Sequence, residues 1–442
     1  MEQAALEGKI LARADALRAK TVERRRDLHK YAESGWTELR TAALVADTLT
    51  ELGYDVLAGD AAVEASAMMG VPGAAVMSGH VKRALSQNAN PRWVETMQGG
   101  KTGVVGIMRF AQPGATVGLR FDMDANDVGE TGGDGHRPNA EGFSSVNAGC
   151  MHACGHDGHT AVGLAVAEIL GGLKDELGGT IKLIFQPAEE GVRGARAMVE
   201  KGVADDIDFM LGAHLGFKAD ATGSLCCNVR GFLATSKYDA EFTGLAAHAG
   251  AAPEAGRNAL LAAACAALNL HAIARHGEGA SRVNVGILNA GSGRNVLPAH
   301  AVLKLETRGA TSKINDYMAK EAVRVINAAA QMYGVKAAIA EMGGAAGGGN
   351  TKELSDRIAA VAQKLGIFDR IIPECDFGAS EDFSYFMERV QKRGGEAAYI
   401  MVGADLAAGH HDARFDFDEA ALDKAVKLLA AAAAELLGGK KQ

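Results

Sequence analysis

The stretch Gly149–Gly163, GCMHACGHDGHTAVG, puts two cysteines and three histidines into fifteen positions of a chain with only 6 Cys and 13 His in 442 residues. Cys154 and His156 are two apart, a spacing from which both side chains of a loop or extended segment reach one point. The chemistry open to such a segment is redox, structural zinc or a working metal centre. Cys150 and Cys154 look like half a zinc site, but no further ligands follow at zinc-finger spacing. A thioredoxin-like motif needs Cys-x-x-Cys, which is absent.

Glu189 and Glu190 add weight to the metal reading. Adjacent glutamates are ordinarily just solvated. Here they follow Phe185, Gln186 and Pro187, a buried strand meeting a stop. One carboxylate of such a pair can bind a metal while its neighbour accepts a proton. His214 in GAHLG and His411 in GHHDARFDFDE could complete a shell. A single histidine at a strand end is more often structural, but here four separate features coincide.

The elements that must position these residues follow from pattern. TAALVADTLTELGYDV has helical apolar spacing at Leu44, Val45, Leu49 and Leu52, closed by Gly53. TGVVGIMRF and ATVGLRFDMDA read as buried strands, the second ending in acidic residues. Asp60–Gly100, rich in Ala, Gly and Met, reads as an insertion with short helices of its own. TAVGLAVAEILGGL is a helix, so the His/Cys cluster lies in the loop and first turn that enter it. GTIKLIFQPAEEG and FMLGAHLG are strands delivering Glu189, Glu190 and His214. Strands that end in potential ligands mark an open α/β sheet, where sites gather at strand ends.

From about Leu233 the pattern changes to strand, helix, two strands, helix and strand, a βαββαβ order that suggests a ferredoxin-like α+β module. The glycine-rich GGAAGGGN after it reads as a hinge. The predicted organisation is a catalytic domain of residues 1–232 and 349–442, with an inserted lid and dimerisation domain of residues 233–348.

Bulk composition narrows the function. A chain of 442 residues exceeds one ordinary core. The net charge of -8 argues against nucleic acid as the main partner. The charged N-terminal segment has no apolar core of a signal peptide, and no stretch approaches a membrane span. The cysteines form no secreted-type disulfide framework, so a reducing cytoplasm is the expected setting.

Nine stretches carry a family resemblance: RRDLHKYAESGWTE, DMDA, MHACGHDGHTA, FQPAEEG, GAHLG, AAHAG, RNVLP, SEDFSYF and GHHDARFDFDE. They span nearly the whole chain, in family order. The chain resembles the amidohydrolase branch of the dinuclear metallopeptidase family that includes carboxypeptidase G, aminoacylases and plant auxin-conjugate hydrolases. PAEEGVRGARAMVEKGV, GSGRNVLPA, LAAGHH and the long insertion bring it nearest the aminobenzoyl-glutamate hydrolase group. The fold this implies is α/β: a zinc-peptidase-like catalytic domain with a central mixed sheet flanked by helices, plus an inserted ferredoxin-like α+β dimerisation lid.

The resemblance also implies roles. The metal ligands fall on Cys154, His156, Glu190, His214 and His411, with His411 rather than His410 at the family's distance from Phe415 and Glu419. Glu189 matches the general base, Asp124 a supporting carboxylate, and His248 the lid histidine that reaches the substrate. Carboxypeptidase relatives have a histidine ligand where this chain has Asp122, and an acidic bridge that Cys154 replaces here. Two divalent ions are implied, Mn2+ or Zn2+, since a thiolate suits zinc while carboxylate and imidazole suit manganese. So is hydrolysis of aminobenzoyl-glutamate-type (folate breakdown) or related N-acyl amino acid substrates, by attack of a dimetal-bound hydroxide. A glutamate leaving group needs cations. Arg294 and Arg308, with Asn295, are the candidates. The partners implied are a homodimer through the lid or a heterodimer with a homologous B subunit. Other readings are an N-acyl amino acid or dipeptide hydrolase of different specificity, and a non-catalytic subunit. An intact Glu189 beside five ligands argues against the last.

Overall fold

The computed structural model describes residues 2–133 and 135–438. The chain forms two compact units. The first comprises residues up to Arg230, Gly349–Phe377 and from Tyr385 onward. The second comprises Gly231–Gly348 with Gly378–Ser384. The short 378–384 return lies outside the continuous 233–348 span that the sequence suggests. It carries no periodic pattern of its own.

In chain order the strands of the first unit begin with β1 (Asp55–Ala58), β2 (Val104–Arg109), β3 (Gln112–Asp122), β4 (Gly178–Gln186) and β5 (Phe209–Leu215). They continue with β6 (Ser224–Cys226) and β7 (Val229–Arg230). The second unit holds β8 (Ala234–Thr243), β9 (Ser281–Ala290), β10 (His300–Gly309) and β11 (Lys336–Ala345). The chain then adds β12 (Arg370–Ile372), β13 (Cys375–Asp376) and β14 (Glu396–Val402) to the first.

The main sheet is eight-stranded, ordered β1-β2-β4-β3-β5-β14-β6-β12. Its centre, β4-β3-β5-β14, is parallel. The β1-β2, β2-β4 and β14-β6 pairs are antiparallel, and β12 joins β6 in parallel. Buried on both faces, the central strands read as near-continuous apolar runs. Their C-terminal ends, at Asp122, Gln186, Leu215 and Val402, lie side by side and open the loops that carry the chemistry.

The helix His156–Gly171 is buried along almost its entire length. It packs against the helices Glu2–Lys30 and Ala420–Leu437 and against β3. The approach is close at Gly163, where an added Cβ would sit 2.7 Å from the Phe121 ring and 2.8 Å from that of Phe185. Any larger residue there would push the helix off the sheet. The Asp60–Gly100 insertion contains the helices Ala74–Ser86 and Pro91–Thr96 and short 3-10 turns.

The second unit is a four-stranded antiparallel sheet ordered β11-β8-β10-β9, with the helices Ala259–His271 and Ser312–Met332. This is the ferredoxin-like arrangement. Asn258 and Thr311 cap the two helices by accepting from the N–H groups of Leu261 and Ile314. Phe242, Leu303, Met318 and Ile326 fill the core between helices and sheet.

Two local expectations change. The glycine run is not a loose hinge throughout: Gly343 and Gly344 belong to β11, in register with Lys237 and Ser236 of β8. The cross-strand partner supplies the backbone hydrogen bonds, which overrides the weak strand propensity of glycine. β3 also begins earlier, at Gln112 before the Gly114 break, because its irregular start pairs with Gly178.

Candidate metal centre

β3 runs into Asp122, Met123 and Asp124, and the side chain of Asp124 organises what surrounds it. One of its oxygens accepts the Glu189 N–H at 2.9 Å and the other accepts the Glu190 N–H, also at 2.9 Å. Both glutamates therefore sit on one clamped turn after β4. The turn is strained: Ala188 and Val192 have φ of 50° and 58°, a conformation that non-glycine residues adopt at a cost of about 1–3 kcal/mol. It is held by Arg193 N–H donating to Ala188 O at 3.1 Å and Val192 N–H to Glu189 O at 2.6 Å.

Cys154 and His156 are brought to one point by Gly155, whose φ of 98° turns the chain left-handed at the helix start. The Nδ1–H of His156 donates to Asp124 O at 2.8 Å. Its Nε2 is buried and has no hydrogen-bond partner among the described residues. His214, at the end of β5, donates from Nδ1 to Leu215 O at 2.7 Å, so its Nε2 faces the Cys154 sulfur at 3.5 Å. In both rings the backbone fixes the tautomer that leaves Nε2 as a ligand.

Three of the resulting groups of ligand atoms, each with all members within 4.8 Å of one another, join these residues: Cys154 with His156 and His214; Cys154 with Glu190 and His411; and His156 with Glu189 and Glu190. Cys154 is common to the first two. His411 has φ of 67°, and its N–H donates to Ala153 O at 2.7 Å. Its Nε2 lies 3.3 Å from Glu190. His410 is stacked on Phe217 with ring centroids 4.0 Å apart, and its Nε2 faces Leu215 O at 3.3 Å. Cys150 also stays out, taking a hydrogen bond from Ser34 at 3.3 Å.

His159 and Asp122 form another group with His156, but His159 is already committed. Its Nδ1–H donates to Asp122 and its Nε2 accepts the Leu215 N–H at 3.0 Å. It braces the site rather than offering a ligand.

The electrostatics fit a cation. Burial pushes the Cys154 thiol well above its usual range, helped by the charge of Glu190. A divalent ion is what would hold it as thiolate. Burial and neighbouring His159 and His410 drive His214 well below its ordinary value, leaving the neutral, ligating imidazole. Glu190 is brought to about 2 despite burial, by His411 and His156. Soft sulfur, the neutral His214 imidazole and an ionised carboxylate, with an unsatisfied His156 Nε2, form a donor set for a divalent cation.

Glu38 belongs to this surround and escapes sequence reasoning, although it closes the GWTE stretch. It accepts the Ala188 N–H at 2.8 Å and the Thr102 hydroxyl at 2.7 Å. Burial and the charge of Asp124 raise it to about 8. Asn126 also escapes: its side-chain oxygen accepts the Ala153 N–H at 3.0 Å beside Cys154.

In the second unit the AAHAG and RNVLP stretches lie side by side. His248 bridges Val296, and Ala249 N–H donates to Asn295 O at 3.0 Å. His248 Nδ1 accepts the N–H groups of Gly250 and Ala251 at 3.2 and 3.0 Å, which puts its proton on Nε2. Arg294 and Asn295 are exposed on the same loop. Arg308 is not brought to them. It lies at the opposite end of β10, paired with Glu306 at 2.8 Å.

Residues 118–435 match the model described as peptidase family M20/M25/M40. The chain is 50% identical over 407 residues to the A subunit of p-aminobenzoyl-glutamate hydrolase from Escherichia coli K12, covering 92% of this chain and 93% of that one. It is also 50% identical over 413 residues to indole-3-acetyl-aspartic acid hydrolase of Enterobacter agglomerans, again 92% and 93% of the two chains. The crystal structure of an aminobenzoyl-glutamate utilization protein from Klebsiella pneumoniae superposes with a TM-score of 0.82 at 41% identity, over 96% of this chain and 97% of that one.

Proposed function

This chain belongs to peptidase family M20/M25/M40, and from that premise we propose that it cleaves the amide bond between an aromatic acyl group and an acidic amino acid, with aminobenzoyl-glutamate the leading substrate. The chain is a metal-dependent amide hydrolase, and divalent cations are its cofactors. The substrate reading is supported by two relatives of equal identity, one named for a glutamate conjugate and one for an aspartate conjugate.

We assign two ions, Mn2+ or Zn2+, to Cys154, His156, Glu190, His214 and His411, with Cys154 shared. Bound there, the ions would polarise the amide carbonyl and acidify a water. Glu189 takes the proton from the attacking water and returns it to the leaving amine. Asp124 keeps the Glu189 turn in place through both backbone N–H groups. His248, protonated on Nε2, donates to the developing oxyanion. Arg294 and Asn295 receive the leaving amino acid; Arg308, already paired with Glu306, is the weaker candidate.

The observation that carries the reading is the Asp124 clamp, which places a carboxylate with no ligand role assigned, Glu189, directly beside a ligand, Glu190. A binding protein has no use for that arrangement. The test is turnover by the purified chain alone, with Mn2+ and with Zn2+, on aminobenzoyl-glutamate, indole-3-acetyl-aspartate and a neutral N-acyl amino acid. Preference for the dicarboxylate conjugates is expected. A faster neutral substrate would overturn the specificity, and no turnover until a homologous B subunit is added would make this chain half of a heterodimer.

Association through the second unit is supported by its surface. β9 is an edge strand with Ile287 and Leu288 exposed, and the neighbouring helix leaves Leu268 77% exposed. Apolar side chains beside an open edge invite pairing with a second sheet. No helix among the described residues is long and apolar enough to cross a membrane, and the free cysteines suit the cytoplasm.

A further inference from the structure

β6 ends in Cys226 and β13 begins with Cys375. Their sulfur atoms lie 3.0 Å apart, with the Cys226 thiol donating to Cys375. Closing to the ~2.05 Å of a disulfide asks for an approach of roughly one ångström. Cys226 is wholly buried, whereas Cys375 is half-buried and reachable. The remaining cysteines lack this arrangement. Cys154 faces the metal ligands, Cys150 sits beside Ser34, and Cys265 has the Met332 thioether at 4.0 Å.

We propose that Cys226 and Cys375 are a reversible redox site, oxidised to an intramolecular disulfide by exchange with a small-molecule disulfide such as oxidised glutathione. The Cys375 thiolate attacks one sulfur of the reagent, forming a mixed disulfide and releasing the first thiol. Cys226 then loses its proton to solvent and attacks the Cys375 sulfur, releasing the second. Two protein thiols are oxidised and one reagent disulfide is reduced to two thiols. The order follows from access and from ionisation. The hydrogen bond from Cys226 draws Cys375 down against burial, with the charge of Lys218 assisting. Burial instead raises Cys150 and Cys227 to about 12, so those thiols stay protonated.

The position gives the bond a consequence. β7 and β13 pair through Cys375 with Val229 and Asp376 with Arg230. The chain leaves the first unit directly after β7, at Gly231, and one residue after β13, at Gly378. A disulfide spanning 149 positions would pin these two exits together. In a reducing compartment it would persist only while the disulfide pool is oxidised.

The test is peptide mapping of the metal-loaded protein after exposure to oxidised glutathione. Expected are a Cys226–Cys375 cross-linked peptide, loss of those two thiols and recovery with dithiothreitol. Cys226→Ala should arrest with one glutathione on Cys375, and Cys375→Ala should leave Cys226 unmodified. Glutathione retained on Cys375 of the unaltered chain, a different cross-link, or an unreacted Cys375 under conditions that modify Cys265 would each overturn the proposal.

Discussion

One carboxylate oxygen of Asp124 accepts the backbone N–H of Glu189 at 2.9 Å. The other oxygen does the same for Glu190, so a single side chain sets the direction of both glutamates. An asparagine in its place has one acceptor and one donor, and the donor would face an N–H. Asp124→Asn is therefore expected to weaken metal affinity by roughly 10–100-fold, the usual cost of losing a supporting partner, and to lower turnover. Equilibrium dialysis against Zn2+ or Mn2+ measures the first; unchanged affinity would show that the turn holds without the clamp.

Glu189→Gln keeps the side chain's size and removes its capacity to accept a proton. Turnover should fall by ~10²–10⁴-fold while bound metal, measured by elemental analysis, stays at the level of the unaltered chain. Near-full activity would take the general-base role away from Glu189.

Cys154→Ala should strip metal from the protein, and Cys150→Ala should not. Cys154 is within reach of both ligand groups, whereas the Cys150 sulfur is engaged by Ser34. Equal metal content in the two variants would remove sulfur from the shell.

Arg25 is fully buried and meets Asp157 at 2.8 Å, Asp416 at 2.9 Å and Glu419 at 3.2 Å. Burial pushes the Asp416 and Glu419 carboxyls up, but Arg25, Arg26 and Arg137 together hold them below their ordinary values of 3.8 and 4.5. The unfolded chain therefore takes up protons first. The stability from these groups is complete above pH ~4.5 and drains away as pH falls through the lower folded values. Arg25→Met strands buried carboxylates and should cost about 3–5 kcal/mol at neutral pH. It should also flatten the acid side of the stability profile. Urea unfolding at neutral and mildly acid pH checks both. A profile parallel to that of the unaltered chain would mean the three arginines do not act through Arg25.

What can be read from the sequence is what local pattern encodes. The ligand-bearing strand ends, the helix entered at His156 and the βαββαβ module each have their own periodicity or spacing. Glu38 is legible only as part of a resemblance, because its partners Thr102 and Ala188 lie 64 and 150 positions away. The 378–384 return cannot be seen at all, since its place is fixed by long-range contact: Leu233 N–H donates to Ala379 O at 2.9 Å. The tautomers of His156 and His214 likewise depend on carbonyls that only the folded chain supplies. The choice of His411 over His410 comes from the resemblance alone; the Phe217 stack on His410 is a long-range contact that no local pattern announces.

The proposed specificity rests on cations of the second unit, and Arg294 is the residue to test. It is exposed on the loop where Asn295 O accepts the Ala249 N–H beside His248, whereas Arg308 is already bound to Glu306. A charge-assisted arginine–carboxylate contact is worth roughly 1.5–3 kcal/mol. Arg294→Ala should therefore lower kcat/KM for aminobenzoyl-glutamate by about ten- to a hundred-fold. The matched glycine conjugate keeps the acyl group and the α-carboxylate but has no side-chain carboxylate, so it should lose less. Equal losses on both substrates would mean that Arg294 reads the α-carboxylate that all such conjugates share. No loss on either would take Arg294 out of the substrate site and leave the second carboxylate to Arg308 or to a partner chain.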